Sequence, residues 1–137
     1  MSATIPSTGP AFNADTIAQA LFDSDGTIAL SGRPYSGSGI LVAIPEHALS
    51  IPVDRAYGIA IRNWVEENVS AIVSHPAPFY NPRYFGSWVN SGILYLDIVE
   101  AFPREEFDAA MDAGIARRQV AIYDNGRKEL YATGAVE

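Results

Sequence analysis

With 137 residues, 48% of them hydrophobic and 18% charged, the chain can bury one core and is not disordered by composition. Its net charge of −7 argues against sequence-independent nucleic-acid binding, which needs clustered Lys and Arg to displace phosphate counterions. There is no cysteine, which excludes disulfide scaffolds, thiolate metal sites and a cysteine nucleophile, and two histidines, His47 and His75, are too few for most metal centres.

Residues 1–14, rich in Ser, Thr, Pro, Gly and Ala, read as an extended arm. Asn13 or Asp15 is placed to cap a short helix with Ile17, Ala20 and Leu21 on one face. Asp25-Gly26 marks a turn, and 31–39 is a Gly/Ser loop that lacks the Gly-Lys-Ser/Thr ending of a phosphate loop. The apolar run 40–44, closed by Pro45, predicts a buried strand. Residues 52–68 predict a helix capped by Asp54, with Tyr57, Ile61, Trp64 and Val65 at helical spacing, and 71–73 predicts a short strand. Pro76, Pro78 and Pro82 make 74–84 irregular.

The clearest signals follow. Strands over 85–89 and 93–99 flank the tight connection Asn90-Ser91-Gly92. In the second strand Leu94, Leu96 and Ile98 share one face, and Ile93, Tyr95, Asp97 and Val99 share the other. Pro103 opens a helix with Glu105 and Glu106 in its first turn. Phe107, Ala110, Met111, Gly114 and Ile115 form its apolar stripe, and Arg117 and Arg118 sit at its C-terminal end. A strand over 120–123, an Asn125-Gly126 hairpin turn and a strand from Leu130 complete the order.

This order predicts one α+β domain over residues 39–137: a mixed or antiparallel β-sheet with two main helices packed on one face. Residues 1–38 are expected to be an N-terminal arm carrying the short helix and the Gly/Ser-rich loop. No apolar run approaches the ~20 residues that span a bilayer. Residues 1–10 have neither the basic start nor the apolar core of a signal peptide.

Little in the chain points to catalysis. Asp97 and Asp124 are the acids set inside strong strand patterns. Were their strands neighbours, the two carboxylates would form an acidic site able to bind a metal or to split pKa values. An Asp before Asn-Gly is equally ordinary turn chemistry. Ser74 and His75 do not read as part of a triad: there is no Gly-x-Ser-x-Gly elbow, and adjacent residues on an extended segment point apart. No catalytic residue, metal ligand or cofactor is assigned. A better surface lies in and after the Pro-rich loop, where His75, Phe79, Tyr80, Arg83, Tyr84 and Trp88 have the composition of a partner contact. The plainer alternative is that these aromatics cover the edge of the core, with the Trp88 indole packed under its hairpin.

Gly86-Ser87-Trp88-Val89, then Tyr95-Leu96-Asp97, then Ala110 and Gly114 on the helix, then Gln119 with Ala121-Ile122-Tyr123-Asp124 form a familiar series. With the upstream strand 39–45, this series resembles a family of small uncharacterised proteins of actinobacteria and their tailed phages, over residues 39–126. The resemblance implies a phage or actinobacterial origin and brings no activity with it.

Two function classes follow. The first is a non-enzymatic interaction protein that docks on another protein, either as a virion or accessory component or as an inhibitor of a host defence or enzyme. Its expected location is the host cytoplasm or the virion. Residues 1–14 would then link copies into a homo-oligomer or tie the chain to an assembly. The second is a small enzyme with a carboxylate and tyrosine site around Asp97, Asp124, Tyr95 and Tyr123. Neither a nucleic acid nor a membrane is an expected partner.

Overall fold

The computed structural model describes residues 13–23, 26–55, 58–75 and 79–135. Among these residues six strands form one antiparallel sheet in the order β1-β3-β4-β2-β5-β6. They are β1 (Thr27–Ile28), β2 (Ile40–Pro52), β3 (Arg83–Asn90), β4 (Ile93–Phe102), β5 (Ala121–Asp124) and β6 (Glu129–Ala132). Helices α1 (Ala14–Asp23), α2 (Gly58–Asn68), α3 (Ser70–Val73) and α4 (Phe107–Ala116) pack on one face. The chain is therefore the expected α+β domain, and no helix among the described residues is long and apolar enough to cross a membrane.

Side-chain alternation decides which face is buried. On β4, Leu94, Leu96 and Ile98 point to the helices and are at most 4% exposed. Phe85 from β3, Ile28 from β1 and Ile44 from β2 join them, and Ile17, Leu21, Ile61, Trp64 and Val65 of α1 and α2 close that cluster. Each such side chain, fully buried, contributes about 1.5–3 kcal/mol, so this cluster dominates the fold. A second cluster on the same face joins Ile40, Val42, Phe102 and Ile122 to Ala110 of α4. Between the two clusters Glu100 accepts hydrogen bonds from Arg117 and from Asn81, the latter at 2.9 Å. This polar seam separates α4 from the other helices.

Four sequence expectations need correction. Residues 13–38 are no appendage: Asn13 Oδ1 accepts the Thr16 N–H at 3.1 Å as the cap of α1, and α1 lies in the main core. Among the described residues the layer thus has three full helices rather than two. Residues 1–12, and with them most of the arm expected to link copies, lie outside the described residues, as do Tyr57, Pro76 and Pro78. Segment 71–73 is helical rather than extended, because Val69 keeps right-handed φ/ψ and lets a new turn start directly after α2.

The third concerns β2, which does not stop at Pro45. It continues to Pro52 through a register shift in which residues 45–48 stand opposite Asp97 alone. A bulge leaves ladder positions unpaired, so Pro45 can lack its N–H there without cost. Helix α2 pins the irregularity: the Trp64 indole N–H donates to the His47 carbonyl at 2.8 Å, and His47 Nδ1 donates to Asn68 Oδ1 at 3.0 Å. His47 is thus a structural residue.

The two hairpins differ from each other. Ser91 and Gly92 take φ of 53° and 77°, the double positive φ of a two-residue type I′ connection, so this turn is as expected though one residue shorter. At Asn125-Gly126 the positive φ falls instead on Lys128. There the Asp124 carboxylate accepts the N–H groups of Gly126 and Arg127, both at 3.0 Å, and holds a longer turn. Asn125 is drawn inward, donating to the Gly37 carbonyl at 2.7 Å, and so cannot serve as a hairpin apex.

Candidate functional site on the open sheet face

The face of the sheet away from the helices carries the odd-numbered residues of β4 and the even-numbered residues of β3. Its upper half is covered by the 29–39 loop, where Tyr35 joins Tyr84 and Tyr123 in packing against the cluster of Leu41, Val99 and Ala101. The loop is closed on itself: the Tyr35 hydroxyl accepts the Gly39 N–H at 3.0 Å, and the Tyr35 N–H donates to the Thr27 carbonyl at 2.8 Å. The Tyr35 and Tyr84 rings lie 4.5 Å apart. Burial, and then the neighbouring Tyr35 hydroxyl, raise the pKa of the Tyr84 phenol.

Below Tyr84 the face is open. Gly86 and Asp97 are cross-strand partners, and the next pair toward the hairpin is Trp88 with Tyr95. The Trp88 and Tyr95 rings stack at 4.8 Å with 22° between planes, and Trp88 stays 48% exposed. Because Gly86 has no side chain, the Asp97 carboxylate leans across the strand into the space a Cβ would fill. Asp97 is part-buried, and burial pushes its pKa up to about 6. No hydrogen-bond donor or cation among the described residues is paired with it. The result is a carboxylate with an aromatic stack on one side and a tyrosine pair on the other, each one pleat, about 6.6 Å, away along the strands.

Asp97 and Asp124 do not form a site together. Strand β2 lies between β4 and β5, and alternation puts Asp124 on the helix side. Asp124 is committed to structure: it is buried, paired with Arg104 at 2.9 Å, and caps its own turn. Tyr123 lies with the covered upper half of the open face. Among the described residues no group of three His, Cys, Asp or Glu side chains is placed to hold a metal.

The six residues expected to contact a partner are divided among three places. His75 and Tyr80 pack edge to face at 4.7 Å, beside Phe79, which is 84% exposed. Arg83 turns to the helix side and donates to the Ala71 carbonyl at 3.1 Å. Tyr84 and Trp88 lie on the open face. Ser74 and His75 are not splayed apart: they follow α3 in a turn, with Ser74 Oγ 3.0 Å from His75 Nδ1, yet no carboxylate among the described residues orients that imidazole.

Two contributors escaped the sequence reading. Tyr35 sits in a Gly/Ser loop with no periodicity to mark it. Gly86 was visible only as a strand glycine, the usual signal for close approach by another group. A second apolar exposure, Phe22 and Ile59 on α1 and α2, flanks a groove crossed by the Arg62–Asp15 ion pair at 2.8 Å. The chain matches no protein-family model, no curated protein and no solved structure.

Proposed function

We propose that this chain is an interaction protein that docks a protein partner on the open face of its sheet, around Trp88, Tyr95 and Asp97. The observation that carries the reading is Trp88, half-exposed and stacked on Tyr95, on a face that none of the described helices covers. A fixed aromatic offers large contact area with little side-chain entropy left to lose, the usual make-up of an interface anchor. The likeness of residues 39–126 to small proteins of actinobacteria and tailed phages supports a phage-encoded accessory or virion component. Inhibition of a host enzyme or defence would use the same docking chemistry.

The test is site-specific photocrosslinking in the cell that produces the protein, with the reactive residue at 90, the next exposed position beyond Trp88 on the open face, or at 22 on the helix layer. Docking on the open face gives an adduct of defined mass from position 90 and none from 22. An adduct only from 22, or none from either, overturns the reading.

A further inference from the structure

We infer that the space over Gly86 and Asp97 receives the cationic end of a lysine or arginine side chain supplied by the docking partner, with the Trp88–Tyr95 stack as one wall. The inference rests on the docking reading and deepens it. Two observations converge on a cation. The Asp97 carboxylate stands on the open face with no donor or cation among the described residues paired to it. A part-buried carboxylate in that state is disfavoured, and an incoming ammonium or guanidinium group relieves it with charge-assisted hydrogen bonds. The neighbouring side chains on both sides are aromatic, Trp88 with Tyr95 and Tyr84 with Tyr35, and such rings attract a cation wherever a face meets it.

The geometry leaves room for such a group. Gly86 contributes no side chain, and Val99 and Tyr84 close the far side. On β1, Thr27 stands beside Gly86 and brings a hydroxyl to the rim. Charge complementarity favours a basic partner over a second copy, since two chains of net charge −7 repel each other. The occupant is therefore a basic side chain of a different protein.

The experiment uses the full chain, isotope-labelled, titrated with Nα-acetyl-lysine methylamide, Nα-acetyl-arginine methylamide and the neutral Nα-acetyl-norleucine methylamide. Saturable NMR shifts are expected at Gly86, Asp97 and the Trp88 indole with the two cationic probes. The Trp64 indole should not move, and norleucine should have no effect. Asp97→Asn, which keeps the shape, should weaken cationic binding by about tenfold or more, the scale of one lost charge-assisted contact. Equal binding of norleucine, equal binding to Asp97→Asn, or shifts spread over the acidic surface would each overturn the inference.

The two readings fail differently. If Asp97→Asn keeps the photocrosslink from position 90 while the wild-type chain ignores the cationic probes, docking stands and the cation site falls. If the probes bind at Asp97 but position 90 yields no adduct, the cation site stands and protein docking falls.

Discussion

The carboxylate of Asp97 lies over the backbone of its cross-strand partner Gly86, so that a methyl group added at position 86 would overlap Asp97 Oδ1. One residue gives up its side chain and the other occupies the vacated space on the open face. This pairing yields a sign reversal that can be measured. Gly86→Ala should destabilise the wild-type protein by about 1 kcal/mol, because it overpacks that contact. In an Asp97→Ala background the same change should stabilise by a few tenths of a kcal/mol, since alanine costs a strand less entropy than glycine. Urea unfolding of the four variants gives the coupling, and additive effects would mean that the two side chains do not compete for this space.

The raised pKa of Asp97 predicts a pH-dependent stability. A carboxyl whose folded-state value is about 6, against 3.8 ordinarily, binds its proton more tightly in the folded state. It therefore favours the fold at low pH, and that stability is lost as pH rises from about 4 through 6. Asp97→Asn removes the charge, so it should match wild type near pH 4 and exceed it by roughly 1–3 kcal/mol at pH 7. Denaturation at several pH values checks this. Glu46→Gln, in the exposed bulge opposite, serves as the control. A gap between Asp97→Asn and wild type that does not change with pH would remove burial as its cause.

Asp124 should behave as a purely structural acid. Its Oδ1 receives Arg104 and two backbone N–H groups, and the residue is 2% exposed. Asp124→Ala should cost about 3–5 kcal/mol, since it strands a cation and two turn donors. It should leave the Trp88 indole resonance unmoved if the protein still folds. Arg104→Met, which keeps the stem and removes the charge, should cost less than Asp124→Ala. Thermal unfolding followed by circular dichroism decides the order.

The Trp64–His47 bond should hold the β2 bulge in place. Trp64→Phe keeps an aromatic against Phe85 but leaves the His47 carbonyl without its donor. A loss of about 1–3 kcal/mol is expected. Faster amide exchange should be confined to residues 45–48, which stand opposite Asp97. Uniform acceleration across the sheet would mean that the bond serves the whole core rather than the bulge.

The local pattern of the chain determined much of the fold. Period-two alternation separated Leu94, Leu96 and Ile98 from Tyr95 and Asp97, and the structure puts the first set under the helices and the second on the open face. Ser91-Gly92 carries its own turn chemistry, and the helical spacing of Ile61, Trp64 and Val65 marks a buried stripe. These features depend on neighbours within a few residues, so they can be read from the chain alone. Tertiary structure decided the rest. Strand order placed β2 between Asp97 and Asp124 and so separated the two acids. A contact from α2 carried β2 past Pro45. The Asn125 side chain was drawn to the 35–37 loop, far away in sequence, and overrode a strong local turn signal. The candidate site belongs to this second group. Asp97 acquires its raised pKa from burial, and no cation among the described residues is paired with it. Both depend on which distant residues fold against it, and that information is spread across the whole chain.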